Sequence, residues 1–382
     1  MRIGLALLTL FPGRVGGSET YVLGLLGEYA AGNGPDEVVV LANRHVMRAY
    51  AGLARGPVRL QPIPSYRAGE GNLTRALAMA GAAARPRSTA RAVPAGLDLV
   101  HFAVTVPIPA TSAPRVVTLH DLQHHDLPHL FSRAERVYRR WAYDGSARDA
   151  EVVVTSSHFS KERIVDLLDI REERVEVVHF GIDHDRFGPA AASGKDELLR
   201  GLELPPRFAF YPANLWPHKN HLRLLEALAR QGDDDLGLVL TGQGYGRLDA
   251  LQESARKLGV GRRVRHLGHV SHDVLPALYR RATALVFPSL YEGFGAPLVE
   301  AMACGCPVVA SDRAAIPEVC GSSALLFDPD AAESIADALS RATTSEDVRR
   351  RLSAAGVERA KSFTWRASAE RHAQIYARAT AT

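Results

Sequence analysis

Short β-branched runs alternate with longer amphipathic stretches along this chain, and the alternation starts twice. The first series reads as strands at Ile3–Leu8, Val38–Leu41, Val58–Ile63, Leu97–Phe102, Val116–Leu119, Val152–Thr155 and Val175–His179. Helical patterns such as Glu19–Ala30 and Arg133–Ala147 lie between them. The second series runs through Phe208–Tyr211, Leu238–Thr241, Val264–Leu267, Ala284–Phe287, Val308–Ala310 and Ala324–Phe327. Its helices are expected at His221–Arg230, Leu248–Leu258, Val274–Arg281 and Pro297–Ala303. Continuous apolar strands separated by helices specify parallel sheets covered on both faces. A Gly-, Pro- and Ala-containing segment, 187–207, separates the series and reads as a linker. At 382 residues the chain exceeds one ordinary core. The fold class is therefore α/β, with two Rossmann-like doubly wound domains.

Composition removes several classes. No apolar run reaches the ~18 residues that a spanning helix needs. The opening MRIGLALLTLF reads as a buried first strand rather than a signal peptide. Its three cysteines, Cys304, Cys306 and Cys320, are odd in number and clustered, so they read as reduced packing residues of a cytoplasmic protein. A net charge of +4 fits a solvated Arg-rich surface, or affinity for phosphates or a membrane surface. The segment ARPRSTARAVPAG, 84–96, is expected to be a mobile solvated loop.

The chemistry concentrates after strands. In PSLYEGFGAPLVEAMACGCPVVAS, 288–311, Pro288-Ser289 ends a strand, Gly293 and Gly295 turn the chain, and Pro297 suits a first helical position. Backbone amides of Phe294, Gly295 and Ala296 then face an anion at a helix N-terminus. Glu292 and Glu300 flank that turn, and carboxylates are good acceptors for hydroxyl groups. Phosphates in the middle and hydroxyls at both ends are the layout of a nucleotide-sugar.

In FPGRVGGSETYV, 11–22, Gly16 and Gly17 can offer amides to an anion, with Ser18 as a candidate helix cap. The segment VVTLHDLQHHDLPHLF, 116–131, holds His120, His124, His125 and His129 at a spacing that suggests a metal cluster. No converging second segment is evident in the sequence, so no metal is assigned. His120-Asp121 instead ends a strand at the carboxyl edge, where ligands bind. Ser157 or Ser160 caps a helix. LTGQGYG, 240–246, lacks the full dinucleotide fingerprint and reads as a tight turn.

The 288–311 stretch, its continuation to Val319, HVSHDVLPALYRRATALVFPS before it and FTWRASAERHAQIYA near the end resemble the retaining GT-B glycosyltransferases of family GT4. The resemblance covers almost the whole chain. It implies an interdomain cleft between an acceptor-binding domain, 1–188, and a donor-binding domain, 189–362, with a helix in 363–382 crossing back to the first. By resemblance Glu292 contacts the donor sugar, Glu300 holds the ribose, and Phe294, Gly295 and Ala296 meet the sugar and diphosphate. His120 touches the donor sugar near the reaction centre, and the backbone at Val270 contacts the base. Gly16 and Gly17 lie near the phosphate. In YPANLWPHKNH, 211–221, Lys219 matches the family's diphosphate lysine. Asn214 stands where the family places an arginine, and Arg223 or His218 are candidates to compensate.

The implied reaction moves a hexose-type sugar from a GDP-, UDP- or dTDP-sugar to an acceptor hydroxyl on a glycan, lipid-linked molecule or natural product. It needs no metal and no cofactor beyond the co-substrate. No nucleic acid is implied, and peripheral contact with the inner membrane face and the oligomeric state stay open. The rival readings are a nucleotide-sugar epimerase or hydrolase on the same plan, a nicotinamide-dependent oxidoreductase, and a non-catalytic nucleotide-binding regulator.

Overall fold

The computed structural model describes residues 1–13, 16–69, 71–189 and 195–381. The chain divides into two compact units: Met1–Gly181 with Trp365–Thr382, and Ile182–Thr364.

The first unit is built on seven parallel strands: β1 Arg2–Ala6, β2 Glu37–Ala42, β3 Val58–Pro62, β4 Leu99–Phe102, β5 Arg115–Thr118, β6 Val152–Thr155 and β7 Val175–Val177. Their spatial order is β3-β2-β1-β4-β5-β6-β7. Leu5 of β1 lies opposite Val40 on one side and His101 on the other, which places the reversal of strand order between β1 and β4. One sheet face packs under the helix Gly17–Ala30, whose Tyr21, Val22, Leu25, Leu26 and Tyr29 share a core with Ala369, Ile375, Tyr376 and Ala379 of the helix Trp365–Thr380. The other face packs Leu41, Phe102, Val117 and Val153 against Ile164 and Leu168.

The second unit repeats the plan with six strands: β8 Arg207–Pro212, β9 Leu236–Thr241, β10 Val264–His266, β11 Ala284–Phe287, β12 Val308–Ser311 and β13 Ala324–Phe327. Their order, β10-β9-β8-β11-β12-β13, reverses between β8 and β11. Every residue of β9, β11 and β12 is buried, as strands covered on both faces require. Such a reversal leaves a crevice at the carboxyl ends of the two strands that flank it.

Three expectations need correcting. The 84–96 segment contains a helix, Pro86–Ala90, with Thr89 buried. Pro86 presets the first turn, and the Ser65 hydroxyl donates to the Ser88 carbonyl at 2.8 Å. The 133–147 stretch is helical but not uniform. A π-helical turn, Arg140–Asp144, joins Arg133–Arg139 to Gly145–Arg148. Ser18 is not a cap: the helix starts at Gly17, and Gly16 precedes it at φ 54° with no side-chain cap. The linker holds a 3-10 turn at Lys195–Leu199, while residues 190–194 lie outside the described residues.

Candidate functional site

The second unit joins its site residues across the switch point. Lys219 follows β8 and Glu292 follows β11, and Lys219 Nζ donates to Glu292 Oε1 at 2.5 Å. Both side chains are mostly buried, at 17% and 13% exposure, so the pair is shielded from bulk water. An ammonium has three donors, so Glu292 leaves two for a ligand. Tyr211 holds the two loops together. Its hydroxyl donates to the Lys219 carbonyl at 2.9 Å and lies 2.9 Å from Ser289 Oγ. With its one hydrogen committed, Tyr211 accepts from Ser289. The Leu290 amide donates to the His218 carbonyl at 2.8 Å, a second tie between the loops.

Gly295 occupies the left-handed region at φ 91° and starts the helix Ala296–Ala303. Pro297 is therefore its second residue, one place later than expected. Phe294 turns its ring inward onto Phe363, with centroids 5.6 Å apart. Glu300 lies a turn inside the helix and accepts from the Tyr279 hydroxyl at 2.8 Å. Burial pushes the Glu300 carboxyl up to about 7, while the Tyr279 bond and Arg186 pull less strongly the other way. Val270 lies in the loop between β10 and the helix Leu275–Arg281.

Asn214 joins two loops of the second unit. Its Oδ1 accepts from the Gln243 amide at 2.7 Å, tying the loop after β8 to the loop after β9. The backbones approach so closely that a Cβ on Gly242 would lie 2.6 Å from the Ala213 carbonyl oxygen. Trp216 and Tyr245 stack across the same junction with centroids 4.4 Å apart. Arg223 is engaged by Glu226 on its own helix at 2.6 Å.

In the first unit, His120 follows β5. Both of its ring nitrogens are shielded and have no hydrogen-bond partner among the described residues. Burial lowers its pKa to about 4, only weakly opposed by Asp121, so the ring is neutral at neutral pH. It carries one unclaimed N–H and one unclaimed lone pair. Its ring stands edge-on to Tyr21 and Phe180, with centroids at 5.3 and 5.4 Å. Gly16 and Gly17 are exposed at the start of the helix that carries Tyr21. Glu19 in that first turn accepts from the Gly13 amide at 2.7 Å and from Tyr50 at 2.5 Å. Ser157 caps its helix by accepting from the Ser160 amide at 3.1 Å, and the Ser160 hydroxyl reaches the His120 carbonyl at 3.4 Å.

The histidine-rich segment splits. His124 and His125 donate to opposite oxygens of Asp144, at 2.9 and 2.8 Å, and His129 is exposed. The π-helical turn is what brings Asp144 to them. These three residues could hold a metal ion, since one ligand atom from each lies within 4.8 Å of the others. The donor set argues for plain hydrogen bonds. Metal on His124 Nε2 would put the proton on Nδ1, which is buried without an acceptor.

Sequence reasoning missed Tyr211, Tyr279 and Tyr21. A tyrosine at a strand end or in a helix carries no local sign of the partner it reaches.

Two family models match the chain. Residues 15–186 match glycosyltransferase family 4, and residues 199–359 match glycosyl transferases group 1. The chain is a GT4-type glycosyltransferase of GT-B fold. It is 28% identical over 283 residues to O-antigen chain mannosyltransferase B of Escherichia coli, covering 73% of this glycosyltransferase and 74% of that protein. It is 34% identical over 255 residues to D-inositol 3-phosphate glycosyltransferase of Salinispora tropica, covering 61% and 52%. The match thus spans about half the length of that inositol enzyme. Among solved structures, sucrose-phosphate synthase from Thermosynechococcus elongatus superposes at a TM-score of 0.76 with 21% identity, covering 100% of this chain and 99% of that one. Anabaena HepE in complex with UDP and glucose superposes at 0.74 with 21% identity, covering 99% and 100%. At that identity the likeness speaks for the fold of the glycosyltransferase.

Proposed function

We propose that this glycosyltransferase moves a hexose-type sugar from a nucleotide-diphosphate sugar to an acceptor hydroxyl with retention of configuration. The observation that carries the reading is the shielded Lys219–Glu292 pair across the β8/β11 switch point, with Glu300 one turn into the adjoining helix. The ammonium and the helix N-terminus receive the diphosphate, whose negative charge grows as the glycosidic bond breaks. Glu292 accepts from sugar hydroxyls and Glu300 from the ribose diol. The backbone at Phe294, Gly295 and Ala296 supports the sugar and diphosphate, and that at Val270 the base. Neutral His120 offers one donor and one acceptor to the transferring sugar, and Gly16 and Gly17 offer amides to the phosphate.

Departure of the diphosphate and arrival of the acceptor on the same face of the sugar account for retention without a covalent intermediate. The departing phosphate takes the acceptor proton. Charge is neutralised by Lys219 and backbone dipoles, so transfer is expected to persist in EDTA. The relatives act on O-antigen chains and inositol phosphate by name, which points to a polyhydroxylated acceptor here. The protein is read as cytoplasmic, with peripheral contact at the inner membrane face where the acceptor is lipid-linked.

A thermal-shift panel of GDP-, UDP- and dTDP-sugars tests the reading. One class should stabilise the protein by about 2.7 kcal/mol at a hundredfold excess over Kd. Lys219→Ala and Glu292→Gln should each lower transfer by about 10²–10³-fold. Unchanged transfer in both variants would overturn the reading.

A further inference from the structure

Six hydrogen bonds run unbroken through the buried interior of the first unit. Tyr29 Oη lies 3.0 Å from Tyr376 Oη, which lies 2.8 Å from His101 Nδ1. His101 Nε2 is 2.7 Å from Thr118 Oγ1, which is 2.9 Å from Tyr21 Oη. Tyr21 Oη is 2.7 Å from His372 Nε2, and His372 Nδ1 is 2.7 Å from the Ser368 carbonyl.

The carbonyl end fixes every hydrogen. A carbonyl only accepts, so His372 carries its proton on Nδ1 and accepts at Nε2. Burial keeps His372 and His101 neutral, so each has a single N–H. Tyr21 must then donate to His372, and Thr118 must donate to Tyr21. Thr118 has no second hydrogen, so His101 donates to it from Nε2 and accepts from Tyr376 at Nδ1. Tyr29 donates to Tyr376. Each hydrogen follows from the one before it.

Near its carbonyl end the chain passes beside His120. The Tyr21 ring meets His120 edge-on and stacks on Phe180 at 5.0 Å. Phe180 meets His120 in the same way and stacks on Trp365 at 6.3 Å. Among the described residues His120 has no hydrogen bond to orient its ring, so these two rings orient it. Both trace to the helix Trp365–Thr380, one through His372 and the other through Trp365. We propose that Tyr21 is a positioning residue for His120, held in place by His372 of the C-terminal helix. The role in catalysis rests on the reading of His120 as a residue that touches the donor sugar.

The experiment uses the full-length protein with 15N-labelled histidine. The bonding order requires His101 as the Nε2–H tautomer and His372 as the Nδ1–H tautomer, which ring 15N shifts distinguish. Tyr21→Phe keeps the ring and removes the hydroxyl. It should shift or broaden the His120 ring signals, identified by their loss in His120→Ala. Tyr29→Phe makes the same chemical change at the far end and should leave those signals in place. Where Tyr21→Phe folds poorly, His372→Phe removes the same bond from the helix side and should move the His120 signals alike.

Turnover is then measured with GDP-mannose, UDP-glucose and dTDP-glucose. Tyr21→Phe should lower kcat on the order of tenfold with donor KM within about twofold, as expected for a misplaced group. Tyr29→Phe should leave kcat unchanged. Unmoved His120 signals in Tyr21→Phe overturn the proposal. So does unchanged kcat in that variant while His120→Ala abolishes transfer. If His120→Ala itself transfers normally, the reading of the site is what fails, and the ring signals still decide whether Tyr21 orients His120.

Discussion

Glu300 shows how one buried carboxyl can carry pH dependence. Its folded value, about 7, lies above the ordinary 4.5, so the fold favours the protonated form. That contribution to stability is whole below about pH 4.5 and is lost as pH rises through 7. A diol donates two hydrogens and is best met by the ionised form. Nucleotide affinity is therefore expected to rise between about pH 6 and 7, by up to ~tenfold per unit, and to level off above. Calorimetric titration with GDP and UDP checks this, and Glu300→Gln should flatten the curve. Asn214 is the other informative residue. Asn214→Ala removes the acceptor of the Gln243 amide and should cost about 1 kcal/mol in a thermal melt. Asn214→Asp keeps an acceptor and should restore most of it. The family resemblance implied an arginine where Asn214 stands, and the sequence held no sign of the tie that Asn214 makes, because the partner is a backbone amide on another loop.

The helix Gly17–Ala30 accepts the C-terminal helix through a missing side chain. A Cβ on Gly24 would lie 2.2 Å from the Trp365 ring, whereas one on Gly27 would meet nothing within 4 Å. Gly24→Ala should therefore cost about 1–3 kcal/mol by overpacking, lowering the Tm by a few degrees. Gly27→Ala should be neutral or stabilising by about 0.5–1 kcal/mol. The strands were legible, whereas helices such as Asn72–Ala84, Ala332–Thr344 and Glu346–Ala360 were not read. The runs at β2, β6 and β11 declare strands because a strand buried on both faces must be apolar throughout. Helix ends read to within a residue or two for the same reason, since the apolar stripe stops where packing stops. The π-helical turn at Arg140–Asp144 was not legible. It exists to bring Asp144 to two histidines, at 20 and 19 residues' separation, and no local propensity encodes that.

Across the whole molecule, buried neutral histidines set the response to acid. His101, His120 and His372 belong to the first unit and His221 to the second, and burial lowers all four. The unfolded chain takes up protons from about pH 6.5 downward while the folded units refuse them. Each such histidine then costs about 1.4 kcal/mol per pH unit until its own folded value is reached, which is about 4 for His120 and His372 and about 3 for His221. With three such fully buried groups against His221 and the half-buried His266, which burial also lowers, the first unit is expected to unfold first as pH falls from 7 to 5. Scanning calorimetry should resolve two transitions that separate with acid, and added nucleotide should raise the one belonging to the second unit.

The tie between the helix Trp365–Thr380 and the first unit also has a consequence for synthesis. Residues 182–364 must be made after the first unit's strands and before the helix that completes it. At about 5–20 residues per second, that interval is roughly 10–40 s. Throughout it Tyr21 lacks its acceptor and His101 its donor, and the apolar face awaiting Ile375 and Ala379 is uncovered. The nascent first unit is therefore expected to keep that face exposed until the helix Trp365–Thr380 has been made, and a chain truncated within the second unit should not complete the first unit's core.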